Sequence, residues 1–356
     1  MASQSLPRTT RALVIRKNPP YHDAIVAEQP VPPLKDGEVL VKISAAGFNR
    51  REYWIRKGLY PRIAFESTFG ADGAGTVVAS SDNNDSLLGQ RVFLTPMRGW
   101  ESSTIGPEST FGTLGSSTHP PVGTFSEYVV VERNEVVPTP AHLTDEQAAA
   151  WPLAGLTAWR AMHLGGVKPG STVLITGIGG GVALIALQLC AAMGANVYVT
   201  SSSPAKLSRA QELGARGGVL YTDGKWVQGL RERLGKDGIV TGVNVVIDGA
   251  GNEILQTVSP VLAIGGRIVC YGMTANPTIT LTMREVMRNQ QVIGTSMGSR
   301  ADMLAATKFI AEKKIVPVVA AVLPGLESAE KGFEMLDKGS QFGNIVIRVD
   351  GVASKL

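Results

Sequence analysis

At 356 residues, 44% of them hydrophobic, the chain is long enough for about two domains with ordinary cores. A formal net charge of +4 without a dense Lys/Arg stripe argues against nucleic acid as a partner and leaves room for an anionic cofactor. Two cysteines, Cys190 and Cys270, exclude a disulfide framework and a cysteine zinc cage, and no apolar run reaches membrane-spanning length without Gly, Pro or charge.

The first sixteen residues hold Arg8, Arg11 and Arg16 and no acid, but Arg11 to Ile15 reads as a first strand rather than as part of a transit peptide. Short β-like runs follow at 39–43, 75–79, 90–94 and 125–131, punctuated by Pro and Gly, which predicts a β-rich domain over 1–150. Between them, Asn49 to Tyr60 is a polar and aromatic segment. Residues 96–122 form a long Ser-, Gly- and Thr-rich stretch of the kind that is either mobile or functional. Thr144 and Gln147 make a capping box, with Asp145 and Glu146 in the first helical turn. Pro152 should interrupt that helix, and the helical pattern resumes at 155–162. The domain joint is placed here, which gives a second domain over 151–314.

Residues 172–206 organise that second domain. Thr172 to Ile175 reads as a buried strand, Gly177, Gly179, Gly180 and Gly181 as a turn, and Val182 to Met193 as a buried helix ended by Gly194. A second strand follows at Asn196 to Thr200. Strand, glycine turn, helix, strand is half of a dinucleotide-binding unit: glycine lets backbone approach a diphosphate, and the helix's first N–H groups hold its charge. The stretch lacks a literal G-x-G-x-x-G/A. With Ala183 last, Gly180 takes the middle position and Ile178 the first, so a glycine turn without a ligand stays open as an alternative. Further strands at 218–221, 243–248, 266–271 and 291–296 alternate with helices and predict a doubly wound parallel sheet. Ser203 and Pro204 start one of these helices, and Gly214 ends it. After a helix at 300–313, the apolar run 318–323, a helix near 327–338 and a strand at 344–349 exceed what the sheet needs. This tail, 315–356, is expected to cross back and complete the first domain. No internal repeat is evident.

A free ribose 2′-hydroxyl usually meets Asp or Glu at the end of the second strand. Here that place reads Ser201, Ser202, Ser203, then Lys206, which suits a 2′-phosphate and points to NADP(H) rather than NAD(H). Ser203 also serves as a helix cap. The four histidines, His22, His119, His142 and His163, show no metal spacing, so no metal ligand is assigned.

Several stretches together resemble one family: NRREYWIRKGLYP at 49–61, FGADGAGTVV at 69–78, GTFSEYVVV at 123–131, LAGLTAWRA at 153–161, the glycine turn, and FGNIVIRV at 342–349. From about residue 11 to 350 the chain looks like the zinc-independent branch of the medium-chain dehydrogenase/reductases, near the quinone oxidoreductases and enoyl reductases. The resemblance implies an α/β architecture: a GroES-like β-rich catalytic domain and a Rossmann domain, with cofactor and substrate held in the cleft between them. It also implies a dimer or tetramer made by extending the Rossmann sheet, of which a homodimer is expected. By the same resemblance, Asn49 lies near the nicotinamide, where zinc alcohol dehydrogenases place a cysteine ligand, and Ala71 and Asp72 replace their His–Glu pair. Tyr60 matches a proposed proton donor and equally well an aromatic wall of the pocket. Thr157 falls near the nicotinamide, Tyr221 near the 2′-phosphate, and Cys270, Tyr271 and Gly272 at a strand end beside the cofactor. Gly179, Gly180, Gly181 and Val182 would cradle the diphosphate, with Ser201, Ser202 and Lys206 at the adenosine end. Glu52 stands where the family usually has Asp, and Asn344 where it usually has Lys.

The expected reaction is metal-free hydride transfer from NADPH to a small molecule, an activated C=C or a quinone, because conjugation spreads the developing charge without a Lewis acid. A carbonyl reductase of zinc-free alcohol dehydrogenase type, and an NADPH-binding protein of structural or regulatory role, are the competing readings. The last three residues, Ser354, Lys355 and Leu356, match a peroxisomal address read by an import receptor.

Overall fold

The structure, a computed structural model, describes residues 6–251 and 253–351. The tripeptide Ser354, Lys355, Leu356 lies outside the described residues. No helix among them is long and apolar enough to cross a membrane. The chain divides into two compact units, Met1–Leu153 with Ser299–Leu356, and Ala154–Gly298.

The first unit is a β-rich fold of GroES-like type. Among the described residues its main sheet runs in the order Val319–Pro324, Asn344–Arg348, Glu38–Phe48, Asp72–Ser80, Arg91–Leu94, Val136–Pro138, with Tyr128–Glu132 paired beside Glu38–Phe48. Its central strands, Asn344–Arg348, Glu38–Phe48 and Asp72–Ser80, are buried along most of their length and border the core. Phe48, Phe69, Phe125 and Phe333 meet edge-to-face there, with ring centroids 4.8 to 5.6 Å apart. Phe333 comes from the returning helix Ala329–Lys338, so the tail supplies part of this core. That helix can lie close because a Cβ on Gly332 would be 2.4 Å from the Phe48 ring.

The structure adds detail to the sequence reading of this unit. The segment after Asn49 is not simply a connector: Arg50–Arg56 is a short helix, with Glu52 accepting the Asn49 N–H at 2.9 Å in half of a capping box. Apolar periodicity over seven residues is too brief to announce such a helix. By its contacts the helix Arg300–Lys313 groups with the first unit. Its buried face holds Met303, Ala306 and Ile310, and Thr307 accepts the Trp151 indole N–H at 3.2 Å, tying the helix to the first unit's own residues. Within 96–122, Met97–Arg98 pairs with Gly112–Thr113, so the stretch is a hairpin-like excursion rather than unstructured chain.

The second unit is a Rossmann sheet. Among the described residues, six parallel strands lie in the order Gly217–Leu220, Asn196–Ser201, Thr172–Ile175, Val243–Asp248, Leu262–Cys270, Gln291–Gly294. In chain order this is 3-2-1-4-5-6, the dinucleotide-binding arrangement, and the order reverses beside Thr172–Ile175. All four residues of that strand are buried, as a strand covered on both faces requires. Leu174, Tyr198, Val246 and Ile268 form the centre of this unit's core.

Candidate active site

The glycine turn follows the first strand at the reversal point. Gly177 takes φ +62° and Gly179 φ +143°, conformations that a side chain would strain. The turn is pinned to the second strand: the Gly177 N–H donates to Thr200 Oγ1 at 3.0 Å and the Ile178 N–H to the Thr200 carbonyl at 2.8 Å. Gly180 caps the helix Gly181–Ala192 without any side-chain oxygen to satisfy its first amides. A Cβ placed on Gly177 or Gly180 would meet nothing within 4 Å. Backbone donors at Gly181, Val182 and Ala183 thus start a helix beside open space, a ready-made anion cradle that fits a dinucleotide diphosphate.

Beyond the second strand, the Ser201 hydroxyl accepts the Ser203 N–H at 3.1 Å, and Ser203 caps the helix Pro204–Glu212. Ser202 is exposed and Lys206 half-buried. Desolvation holds the Lys206 ammonium below its ordinary pKa. The Tyr221 N–H donates to the Ser201 carbonyl at 3.0 Å, which brings the exposed Tyr221 ring to the same end of the sheet. Ser201, Ser202, Lys206 and Tyr221 therefore share one region, without a carboxylate between 199 and 206.

Across the reversal point stands a buried acid that the sequence reading passed over. Asp248 ends the fourth strand, accepts the Ala250 and Gly251 N–H groups at 3.1 and 2.7 Å, and accepts the Thr176 hydroxyl. Burial holds its carboxyl above the usual carboxylate range, against those hydrogen bonds. An acid closing the apolar run VNVVI was the available signal. Cys270 ends the next strand with its thiol pushed up to about 12 by burial. The Tyr271 ring lies so close to Gly249 that a Cβ there would be 2.7 Å from it, and Gly272 passes the Gly249 carbonyl equally tightly. Thr157, in the helix Pro152–Gly165 and buried, places Oγ1 4.0 Å from the Met297 sulfur.

The first unit gathers a second group of polar residues. Asn49 Nδ2 donates to Asp72 Oδ2 at 2.8 Å. The other Asp72 oxygen accepts the Leu153 N–H at 2.9 Å, and the Thr124 hydroxyl donates to the Asp72 carbonyl at 2.8 Å. Asp72 is 2% exposed, and burial pushes its carboxyl up to about 7, although Asn49 and Leu153 pull it down. Glu52 is wholly buried and raised for the same reason, opposed by Arg51 and by the Asn49 N–H. Arg51, buried too, donates to Glu52 at 2.9 Å and to the carbonyls of Leu114 and Gly115 at 2.7 and 2.9 Å. Its guanidinium carbon lies 5.0 Å from the Tyr60 ring centroid. Asn49, Glu52 and Tyr60 are thus brought together, while Arg51 and the duty of Asp72 went unread because their long-range partners lie 23 to 81 positions away. Asn344 stands apart: its amide donates to the Ala150 carbonyl at 2.7 Å, which joins the returning strand to the chain before the domain joint.

Together, a parallel 3-2-1-4-5-6 sheet with an open glycine turn and a GroES-like unit completed by the chain's tail define a two-domain nucleotide-dependent dehydrogenase or reductase. The chain belongs to the medium-chain dehydrogenase/reductase family of oxidoreductases. Residues 35–141 match the alcohol dehydrogenase GroES-like domain and 181–312 the zinc-binding dehydrogenase domain. Over 338 residues it is 41% identical to the zinc-type alcohol dehydrogenase-like protein YogA of Leptosphaeria maculans, covering 91% of this chain and 93% of that protein. It is 28% identical to the acryloyl-coenzyme A reductase of Metallosphaera sedula, covering 95% of this chain and 99% of that protein. A crystal structure of an NAD-dependent alcohol dehydrogenase superposes with a TM-score of 0.83 at 32% identity, covering 95% of this chain and 99% of that one.

The zinc in these family names does not fit the donors present. A catalytic zinc needs about three side-chain ligands from His, Cys and carboxylates. At the corresponding place stand an amide, Asn49, and a carboxylate, Asp72, whose oxygens already take hydrogen bonds from Asn49 and Leu153. Among the described residues no three His, Cys, Asp or Glu side chains cluster as metal ligands.

Proposed function

We propose that the protein is a metal-independent NADPH-dependent reductase of activated C=C bonds or quinones. The observation that carries this reading is the Asn49–Asp72 hydrogen bond, which stands where the resemblance would put metal ligands and so supports a reaction that needs no Lewis acid. When bound, NADPH supplies the hydride. The glycine turn and the amides of Gly181 and Val182 hold its diphosphate, while Ser202, Lys206 and Tyr221 receive the 2′-phosphate. Thr157, Cys270, Tyr271 and Gly272 line the nicotinamide end. Asn49 offers its amide oxygen to the carboxamide, because its nitrogen is committed to Asp72. Tyr60 donates the proton that completes reduction of the acceptor.

The test follows NADPH absorbance against quinones, alkenals, enones, enoyl thioesters and plain ketones, with NADH and a chelator in parallel arms. Expected is oxidation of NADPH by at least one conjugated acceptor, unaffected by the chelator. Turnover of plain ketones alone, or loss of activity on chelation, would overturn it. Tight NADPH binding with no acceptor reduced would point instead to a regulatory role.

The assembly proposed is a homodimer through the edge of the parallel sheet. Gln291–Gly294 is the last strand of that sheet, and Met283, Met287 and Val292 beside it are 68%, 77% and 38% exposed. Such an apolar strip next to an open strand edge is what a self-complementary interface covers. Light scattering after gel filtration is expected to give twice the chain mass, and V292K to give monomers. A monomeric wild-type protein across micromolar concentrations would reject it.

A further inference from the structure

We infer that Arg51 is the residue that positions Tyr60 as an acid and holds the negative charge left on its oxygen after the proton has gone. This rests on the reading of Tyr60 as the proton donor. Arg51 is the second residue of the helix that follows Asn49 and is 7% exposed, yet it carries a full charge. Three of its contacts explain its fixed position. One guanidinium nitrogen reaches both Glu52 and the Leu114 carbonyl, at 2.9 and 2.7 Å, and the other reaches the Gly115 carbonyl at 2.9 Å. That loop is itself held by backbone hydrogen bonds, from the Leu114 N–H to the Pro96 carbonyl at 3.0 Å, from Gly115 to Val122 at 2.7 Å and from Ser116 to Thr68 at 2.8 Å. A planar fork held on three acceptors has no freedom to swing, which a lysine could not reproduce.

The fourth contact bears on the chemistry. The guanidinium stacks on the Tyr60 ring, its carbon 5.0 Å from the centroid, and its charge couples to the phenol. Burial works against the Arg51 charge more than any other influence, but Glu52 and Tyr60 together outweigh it, and the group stays protonated. Arg51 Nε has no hydrogen-bond partner among the described residues, so the geometry of the group is set by the loop, Glu52 and Tyr60. Once the acceptor has taken hydride at one carbon, its π electrons rest on the conjugated oxygen as an enolate. The Tyr60 O–H bond then breaks, its proton goes to that enolate, and a phenolate remains until solvent returns a proton. At a few ångströms a fixed cation stabilises a phenolate far more than a neutral phenol, so its effect falls on the proton-transfer barrier rather than on substrate affinity.

The experiment is a double-mutant cycle on the full-length enzyme with the acceptor that the panel identifies. Removing Arg51 alone strands the Glu52 carboxylate, so the cycle is run in an E52Q background. Relative to E52Q, Y60F is expected to lower kcat about 100-fold and R51M about tenfold or more, each with KM little changed. With Tyr60 already replaced, R51M should have no further effect on kcat. R51K in the otherwise native chain should recover only part of the rate. Circular dichroism and thermal melts identify any variant that fails to fold, and R51K then stands in for R51M. Multiplying rather than saturating losses would overturn the inference while leaving Tyr60 as the donor. An unaffected Y60F would remove the donor reading and this inference with it.

Discussion

G180V is expected to weaken NADPH binding by about 100-fold or more while leaving the fold's melting temperature within about 2 °C. The two effects separate because of what surrounds this glycine. Its φ of −81° and ψ of 158° are extended values that valine adopts readily. A Cβ there meets nothing within 4 Å, so no core atom resists it. The added methyls would enter the space beside the first helical amides, where a diphosphate oxygen must approach. Fluorescence titration of NADPH set beside a thermal melt reads both quantities. Native affinity in G180V would mean that the diphosphate does not pass over this turn.

The second large effect concerns Asp72. Unfolded, its carboxyl titrates near 3.8, and in the folded chain burial moves it to about 7. Between those values the native protein keeps a proton that the unfolded chain has released. Its contribution to stability is therefore fully present below about pH 4 and is lost as pH rises through about 7, by roughly 4 kcal/mol at most. D72N removes this titration, so the stability of the native protein relative to D72N should fall across that window in urea melts. Activity should respond in the opposite sense. Ionised Asp72 only accepts, which obliges Asn49 to donate to it and to turn its amide oxygen outward. An asparagine at 72 must satisfy the Leu153 N–H with its oxygen and would offer Asn49 an N–H, inverting the Asn49 amide. D72N is expected to lose at least about tenfold in kcat/KM, and the native enzyme to lose activity as pH falls below about 7. A D72N enzyme with native activity and an unchanged pH profile would show that the orientation of Asn49 is immaterial.

Much of the second unit was legible because each signal there is local. Four buried residues, a glycine turn and an apolar helix sit within about twenty positions, and the strand period places the rest. The missing acid at 199–206 was equally local. The first unit was harder to read. Its strands announced themselves, but the helix Arg50–Arg56 spans only seven residues, too few for a periodic pattern. The polar network escaped for a different reason. Asp72 sits among alanine and glycine in FGADGAG, and nothing nearby shows that it will be buried and paired with Asn49, 23 positions earlier. Arg51 looks like one of two adjacent surface arginines until the loop at 114–115, more than sixty positions later, closes on it. Long-range pairing of charges is set by topology, which no window of sequence contains. The helix Arg300–Lys313 resembles any other crossover helix and closes the stretch that matches the zinc-binding dehydrogenase domain, and only Trp151 and Thr307 meeting reveals its tie to the first unit.

The way the tail returns also bears on how the protein is made. The strand Glu38–Phe48 gains its neighbour Asn344–Arg348 only after the whole Rossmann half has been synthesised. During translation the Rossmann half, encoded by one continuous stretch, can close while the earlier-made half still shows Phe48 and Phe69 without Phe333. Chaperone demand in the cell should therefore fall on the segment that precedes the Rossmann half, which is made before it and must wait for the tail.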